Sequence, residues 1–101
     1  MAAGKEIISI LGGTGDLGGG LARRWSRAGY EIIIGSRTLA KGRVAADELL
    51  EEFPDLNVTG MENRDAADKS EIVVLTVPFS FQIGILETVK PALSGKILID
   101  V

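Results

Sequence analysis

The feature that most constrains the fold is a glycine cluster that separates an apolar run from a helix-like pattern. The run is Ile-Ile-Ser-Ile-Leu at residues 7–11, and Gly13, Gly15 and Gly18 follow it with the spacing G-x-G-x-x-G. In a dinucleotide fold, such a turn lets a pyrophosphate approach the backbone and the N–H groups that begin the next helix. The alternative is a tight strand-to-helix turn that needs glycine only for its shape. The chain has 13 glycines, so this spacing needs support from the rest of the sequence.

Apolar runs and helical patterns alternate along the whole chain. The predicted strands are residues 6–11, 30–35, 57–61, 71–77 and 96–101, and the predicted helices are residues 17–28, 39–53 and 81–93, with one or two helical turns at residues 63–70. This alternation is typical of an α/β doubly wound parallel sheet of the Rossmann type, with strand order 3-2-1-4-5. We expect one domain over residues 1–101.

Helical spacing also predicts which side chains of each helix face the sheet. The predicted inward positions are Leu17, Leu21, Ala22 and Trp25 on the first helix, Leu39, Val44, Ala45, Leu49 and Phe53 on the second, and Ile85, Leu86, Val89 and Leu93 on the last. The last strand reads as a buried core strand. Because domains seldom end inside such a strand, we expect the chain to be a fragment of a longer protein.

Composition excludes several kinds of chemistry. The chain has no histidine and no cysteine, so we expect no metal site and assign no catalytic residue. Its net charge of −3 provides no basic field for nucleic acid. No apolar run approaches the roughly 18 residues of a membrane span, and the N-terminus lacks a signal-peptide pattern. We therefore expect a cytoplasmic protein, with no membrane partner, whose chemistry comes from a bound cofactor.

The glycine turn is predicted to hold a phosphate. A side chain at Gly13 or Gly15 would block the close approach of the phosphate, and the Thr14 hydroxyl adds a hydrogen-bond donor. Asp16 does not fit this prediction, because a carboxylate repels a phosphate. It is tolerated if it caps the N-terminus of the helix and points outward.

The end of the second predicted strand indicates which dinucleotide binds. An NAD site has Asp or Glu there, about 20 residues past the glycine turn, to accept hydrogen bonds from the ribose hydroxyls. Here the strand ends in Gly35, Ser36 and Arg37, with no acid. The Ser36 hydroxyl and the Arg37 guanidinium suit a 2′-phosphate, and Lys41 adds a positive charge. We predict NADP; the alternative is that Arg37 and Lys41 are solvated surface charges.

Thr76, Val77 and Pro78 follow the fourth predicted strand. Ligands of open α/β sheets lie across the carboxyl ends of the strands, so we expect these three residues to line the ribose and nicotinamide half. Phe79 either packs near the nicotinamide or belongs to the core, and both interpretations stay open.

Several stretches of the chain together carry a family resemblance. They are residues 11–18 (Leu-Gly-Gly-Thr-Gly-Asp-Leu-Gly), 29–32 (Gly-Tyr-Glu-Ile), 34–37 (Ile-Gly-Ser-Arg), 57–63 and 74–78. They resemble the N-terminal domain of NADPH-dependent reductases of the deazaflavin coenzyme F420, also called F420H2:NADP oxidoreductases. The resemblance covers nearly the whole chain, and the Gly-Ser-Arg sequence is its most specific element.

The resemblance implies specific roles and a reaction. Residues 14–17, Leu17 included, would hold the pyrophosphate; Ser36, Arg37 and Lys41 would hold the 2′-phosphate; residues 76–78 would border the nicotinamide. The implied reaction is hydride transfer between C5 of the reduced deazaflavin and C4 of the nicotinamide, in which the protein mainly orients two cofactors. Family members often have a second basic residue at position 38, where this chain has Thr38. The family's C-terminal helical part completes the deazaflavin pocket and a homodimer.

Two other functions stay open at this point. The same NADP domain can serve a reductase with another acceptor, such as an imine, or a flavin that feeds a ferric reductase. It can also serve a non-enzymatic module that senses NADP. Fold analogy does not separate these functions, because the second substrate's site decides them.

Overall fold

The structure is a computed structural model that describes residues 6–12, 15–77 and 79–100, with the backbone alone for Asp16, Phe79 and Ser80. The strands are β1 Ile7–Leu11, β2 Glu31–Ser36, β3 Val58–Glu62, β4 Ile72–Leu75 and β5 Ile97–Asp100, and the helices are α1 Asp16–Arg27, α2 Leu39–Glu52, α3 Asn63–Lys69 and α4 Phe79–Val89, followed by a 3₁₀ turn at Lys90–Ala92. Within these ranges, no helix combines the length and the apolar character that crossing a bilayer needs.

The five strands form one parallel sheet in the order β3-β2-β1-β4-β5. The predicted fold class and strand order are therefore confirmed. Because β1 lies at the centre, the chain reverses its direction of winding after β3, and the carboxyl ends of β1 and β4 flank the crevice in which such sheets bind ligands.

The two faces of the sheet bury two separate clusters, as expected when helices cover both sides. On one face, Ile10 and Ile32 pack against Ala22 of α1 and Ala46 of α2. On the other face, the cluster contains Leu11, Ile33, Val73 and Leu75 of the strands, Ala66 and Ala67 of α3, and Val89 of α4. The β strands are thus apolar on both faces, which explains their isoleucine-rich runs.

Three of the predicted inward positions are wrong. Leu17 is 51% exposed, Leu39 40% and Val44 56%. Leu17 and Leu39 lie in the first turns of α1 and α2. On α2 the buried residues are Gly42 and Ala46, and a residue two positions from both, such as Val44, points away from that face.

The prediction that the last strand is buried is also wrong. All four residues of β5 are exposed, with Ile97 at 60%. Side chains alternate between the two faces of a strand, so neither face of β5 is covered by the described helices. As an edge strand, β5 pairs with β4 alone. The apolar residues of β5 therefore belong to a strand that pairs with one neighbour and lies outside the core formed by the described residues.

Helix α2 lies directly on the backbone of β3. A Cβ atom built on Gly60 would be 2.0 Å from the carbonyl oxygen of Gly42, and one built on Gly42 would be 2.8 Å from the carbonyl oxygen of Met61. Only glycine at both positions allows this approach. The pair sets the height of α2 above the sheet, and with it the position of the residues at the start of α2.

Lys96 joins α3 to the strands on the other side of the sheet. Its Nζ donates hydrogen bonds to the carbonyl oxygens of Ala67 (2.7 Å), Asp68 (2.6 Å) and Ser70 (2.5 Å). These carbonyls belong to the last turn of α3 and to its C-cap residue Ser70, where the carbonyl oxygens of a helix need donors from outside its regular hydrogen bonds. A cation at this end also complements the helix dipole.

Candidate functional site

The β1–α1 turn begins at Gly12, and two constraints require glycine there. Its φ is +71°, a left-handed conformation that other residues avoid. A Cβ atom on Gly12 would also lie 2.1 Å from Cγ1 of Val77. The Gly12 N–H donates to the carbonyl oxygen of Gly35 (3.0 Å) and, more weakly, to Oδ1 of Asn63 (3.4 Å). The turn is therefore fixed to the ends of β2 and β4 and to the start of α3.

Helix α1 starts one residue earlier than predicted, with Gly15 as its N-cap residue and Asp16 as its first residue. Asp16 is thus not the capping residue that the sequence analysis suggested. Gly15 has no side chain with which to cap the helix, and a Cβ atom on it would meet no described atom within 4 Å. Among the described atoms, the space beside Gly15 is therefore open, and an anion there would be favoured by the N–H groups at the start of the helix and by the helix dipole.

Part of the predicted site lies outside the described residues. These positions are Gly13, Thr14 and Pro78, together with the side chains of Asp16 and Phe79. Leu17 is described and exposed, and it follows the N-terminus of α1 directly.

The predicted 2′-phosphate residues are held by three successive pieces of chain. Ser36 ends β2 and is only 6% exposed. Arg37 follows and is exposed, and Thr38 is the N-cap residue of α2. The Thr38 side-chain oxygen accepts a hydrogen bond from the backbone N–H of Lys41 (3.2 Å). This cap fixes the first turn of α2 and places Lys41 beside the end of β2.

A cleft of about 590 Å³ lies at the carboxyl edge of the sheet, a size typical of small-molecule sites. It brings together Ser36, Arg37 and Lys41, as the sequence predicted. Its described lining residues are Gly12, Ser36, Arg37, Lys41, Glu62, Asn63, Arg64, Val77, Phe81, Gly84, Ile85 and Thr88. Gly15, Leu17 and Thr76 do not line this cleft.

One side of the cleft is polar and charged, and the other is largely apolar. Val77, Phe81 and Ile85 supply the apolar wall from the end of β4 and from α4, and Gly84 leaves room between them. Such a wall suits a planar base, whereas the Ser36 and Arg37 side suits an anion. The arrangement can therefore hold an adenosine that carries a phosphate on its ribose.

Thr76 joins the two halves of the crevice instead of lining the cleft. Its hydroxyl is shared between the carbonyl oxygens of Leu11 (3.2 Å) and Gly12 (3.3 Å). It thereby ties the end of β4 to the start of the glycine turn. Val77 does line the cleft, which places one of the three predicted residues after β4 there.

The contribution of α3 to the cleft was not predicted from the sequence. Asn63 is 5% exposed and accepts the hydrogen bond from Gly12, while Glu62 and Arg64 line the cleft on either side of it. A signal was present: this polar group directly follows β3, whose carboxyl end is next to that of β2.

With this geometry in hand, comparison with known proteins decides the family. The family described as NADP oxidoreductase, coenzyme F420-dependent, matches residues 7–101 of this chain. The chain belongs to the coenzyme F420-dependent NADP oxidoreductase family. The resemblance recognised in the sequence is thereby confirmed.

Individual relatives agree with this family. An F420-dependent NADP reductase of Methanothermobacter marburgensis is 50% identical over 95 residues, which cover 92% of this chain and 42% of that protein. One of Methanocaldococcus jannaschii is 38% identical over 98 residues, covering 93% of this chain and 44% of that protein. A crystal structure from Arthrobacter sp. FB24, assigned as an F420-dependent NADP-reductase, has a TM-score of 0.79 at 29% identity and covers 97% of this chain and 44% of its own. The chain thus spans less than half the length of these relatives.

Proposed function

We propose that this chain binds NADP(H) along the carboxyl edge of its sheet, as the NADP half of an enzyme that exchanges hydride with coenzyme F420. The observation that carries the proposal is the convergence of Ser36, Arg37 and Lys41 in one cleft, next to a glycine turn. The F420 part rests on the family, whose named members are F420-dependent NADP reductases. Because those members are more than twice as long, we assign the deazaflavin contacts to protein beyond these 101 residues.

The residues of the cleft fit the adenosine 2′-phosphate end of NADP. Arg37 provides a planar fork for two phosphate oxygens, and Lys41 provides a point charge. The side chains of Arg37 and Lys41 have no hydrogen-bond, ion-pair or ring partner among the described residues. They are therefore free to bind an anion. The apolar side chains of Phe81 and Ile85 on α4 then receive the adenine.

The glycine turn fits the pyrophosphate. Gly15 leaves open space at the start of α1, where free N–H groups point outward. We propose that Gly13, Thr14 and Gly15 contact the pyrophosphate, with Asp16 and Leu17 following at the start of the helix. Thr76, Val77 and Pro78 then border the ribose and the nicotinamide, on the side of the turn nearer β4.

The chemistry of the reaction belongs to the cofactors: the nicotinamide carries a hydride at C4, and the deazaflavin accepts or donates one at C5. The protein's task is to orient and to bind. Gly12, in contact with Gly35 and Val77, and Thr76, bonded to the carbonyl of Leu11, hold the carboxyl ends of β1, β2 and β4 together. Rigid placement of two reactants lowers the entropic barrier of transfer without any acid or base. We accordingly assign no catalytic side chain.

The NADP assignment is tested by replacing Arg37 with alanine. We expect NADPH affinity to fall about tenfold or more, because charge-assisted hydrogen bonds to the 2′-phosphate are lost, while NADH affinity changes less than twofold. The matched control is Arg43→Ala. Arg43 is exposed on α2 two residues after Lys41 and does not line the cleft. Equal losses for NADPH and NADH in Arg37→Ala, measured by titration calorimetry, would refute the assignment.

The reaction is tested on the full-length protein with NADPH and oxidised coenzyme F420. Loss of the visible absorbance of the deazaflavin supports the proposed reaction. Oxidation of NADPH only in the presence of an imine or a flavin would indicate a reductase of another acceptor. Binding of NADPH without any turnover would indicate a sensing module.

The cellular location and the assembly complete the proposal. We propose a cytoplasmic protein, because the sequence has neither a signal-peptide pattern nor an apolar run long enough to span a membrane, and a homodimer, which the family resemblance implies. Light scattering after size-exclusion chromatography of the full-length protein tests the dimer, and a monomer at micromolar concentration contradicts it.

A further inference from the structure

We infer that Arg64 is a third cation for the 2′-phosphate and helps to select NADPH over NADH. The inference rests on the proposed binding of NADP along this edge of the sheet. Arg64 belongs to α3. None of the sequence motifs assigned a function to this helix, and neither the glycine turn nor the Gly-Ser-Arg sequence points to Arg64.

The start of α3 is anchored beside the end of β2. Asn63 is buried, and its Oδ1 accepts a hydrogen bond from Gly12. The same oxygen lies 2.7 Å from the point where a Cβ atom of Gly35 would be. Asn63 is thus packed against the residue before Ser36. Arg64, the next residue in the helix, is held at the rim of the same cleft.

The sheet register gives the same placement independently. Ser36 of β2 is directly opposite Glu62 of β3, and neighbouring strands are about 4.8 Å apart. Arg64 follows Glu62 by two residues and lines the cleft together with Ser36, Arg37 and Lys41. The cations therefore reach the cleft from two different helices and one loop.

The balance of charges in the cleft supports a role for Arg64 in binding the phosphate. Among its described lining residues, the cleft has three cations, Arg37, Lys41 and Arg64, and one carboxylate, Glu62, which leaves a net charge of +2. A phosphate monoester carries about −1.5 to −2 near pH 7. Arg64 offsets Glu62, and without it the net charge would be only +1 for the same ligand.

Arg64 has no evident structural task. Its side chain is exposed, and it has no hydrogen-bond, ion-pair or ring partner among the described residues. It also lies in the first turn of α3, where the helix dipole disfavours a cation. An arginine in that position therefore does not stabilise its own helix.

The position after Arg37 is already committed to another task. Thr38 caps α2 through its bond to the N–H of Lys41, and a longer basic side chain there would remove that cap. A further cation for the phosphate must therefore come from a different element. The first turn of α3 supplies one, because Arg64 lines the cleft.

The test compares Arg64→Gln with the unchanged protein against four ligands: NADPH, NADH, adenosine 2′-phosphate and adenosine 5′-phosphate. We expect the affinities for NADPH and adenosine 2′-phosphate to fall about five- to tenfold, the equivalent of one partly exposed charge-assisted contact. The affinities for NADH and adenosine 5′-phosphate should change less than twofold. The melting temperature should stay the same or rise slightly, since a cation is removed from a helix N-terminus.

For a second variant we expect the opposite change in NADPH affinity. Glu62→Gln removes the carboxylate from the cleft, so NADPH should bind about two- to fivefold more tightly and NADH should change little. Arg43→Gln, whose side chain is outside the cleft, is the control for a general loss of positive charge. Arg64→Lys should restore part of the NADPH affinity.

Two outcomes would overturn the inference. Equal weakening of all four ligands by Arg64→Gln would mean that Arg64 contacts the adenine or shapes the cleft, and no weakening of any ligand would mean that it is a solvated charge. Failure of the proposed function has a different signature: the unchanged protein would then not prefer NADPH, and Arg37→Ala would have no selective effect.

Discussion

The contact between Gly60 and Gly42 makes a specific prediction about stability. An alanine at Gly60 puts a methyl group 2.0 Å from the carbonyl oxygen of Gly42 and 2.5 Å from the backbone nitrogen of Arg43, where real contacts start at 3.0 Å. Because the atoms that the methyl group would meet belong to the backbone of α2, the clash cannot be relieved by rotation of a side chain. Helix α2 must move outward by about 1 Å, and Ala46, which is 3% exposed, loses its packing against the sheet.

The magnitude follows from two opposing effects. Overpacking against a rigid neighbour costs about 1–3 kcal/mol, and a backbone clash belongs at the upper end of that range. Replacing glycine also reduces the entropy of the unfolded chain, which returns about 0.4–1 kcal/mol. The net loss is about 2 kcal/mol. For a domain of this size it lowers the melting temperature by roughly 8–16 °C.

Gly20 provides a matched control. It lies inside α1, and a Cβ atom there meets no described atom within 4 Å, so Gly20→Ala should stabilise the protein by about 0.5–1 kcal/mol. The assay is urea unfolding followed by the fluorescence of Trp25, the only tryptophan of the chain. If Gly60→Ala has the same free energy of unfolding as the unchanged protein, α2 and β3 do not make the close backbone contact described above. Where the variant folds, the shift of α2 moves Lys41, so NADPH should lose more affinity than NADH.

Two further substitutions test the cleft and the core separately. Gly84→Leu adds a large side chain to the part of α4 that lines the cleft, so NADPH and NADH should both bind about tenfold more weakly. The melting temperature should not fall, because leucine favours a helix over glycine; unchanged affinities would place the adenosine elsewhere. Lys96→Met keeps the side-chain length but removes three hydrogen bonds to carbonyl oxygens, so we expect a loss of about 1.5–3 kcal/mol in urea unfolding. The exposed Lys90 is its control: Lys90→Met should change stability by less than about 0.5 kcal/mol.

Most of the fold could be read from local patterns. Strands with isoleucine on both faces predict a sheet covered on both sides. Right-handed crossovers, with a reversal of direction after the third strand, then give the order 3-2-1-4-5. The part of the cleft formed by Ser36, Arg37 and Lys41 was also predicted, because these residues follow one strand end directly. Residues close in sequence at a strand end stay close in space, whatever the rest of the chain does.

The predictions that failed concern the burial of side chains, which depends on residues far away in the sequence. Leu17, Leu39 and Val44 have helical spacing, but periodicity does not say which positions of a helix a neighbouring element covers. Likewise, the apolar residues of β5 say that the strand pairs well. They do not say whether a helix covers it.

For this chain, sequence alone determined the family, the parallel α/β fold and its strand order, and the predicted NADP preference, since each depends on local residue patterns and chain connectivity. Tertiary structure decided the rest. It brought Glu62, Asn63 and Arg64 to the cleft beside Ser36, and it pressed Gly42 against Gly60. These contacts join residues far apart in the chain, and their distances are set by the height and register of packed elements, which no single stretch of sequence specifies.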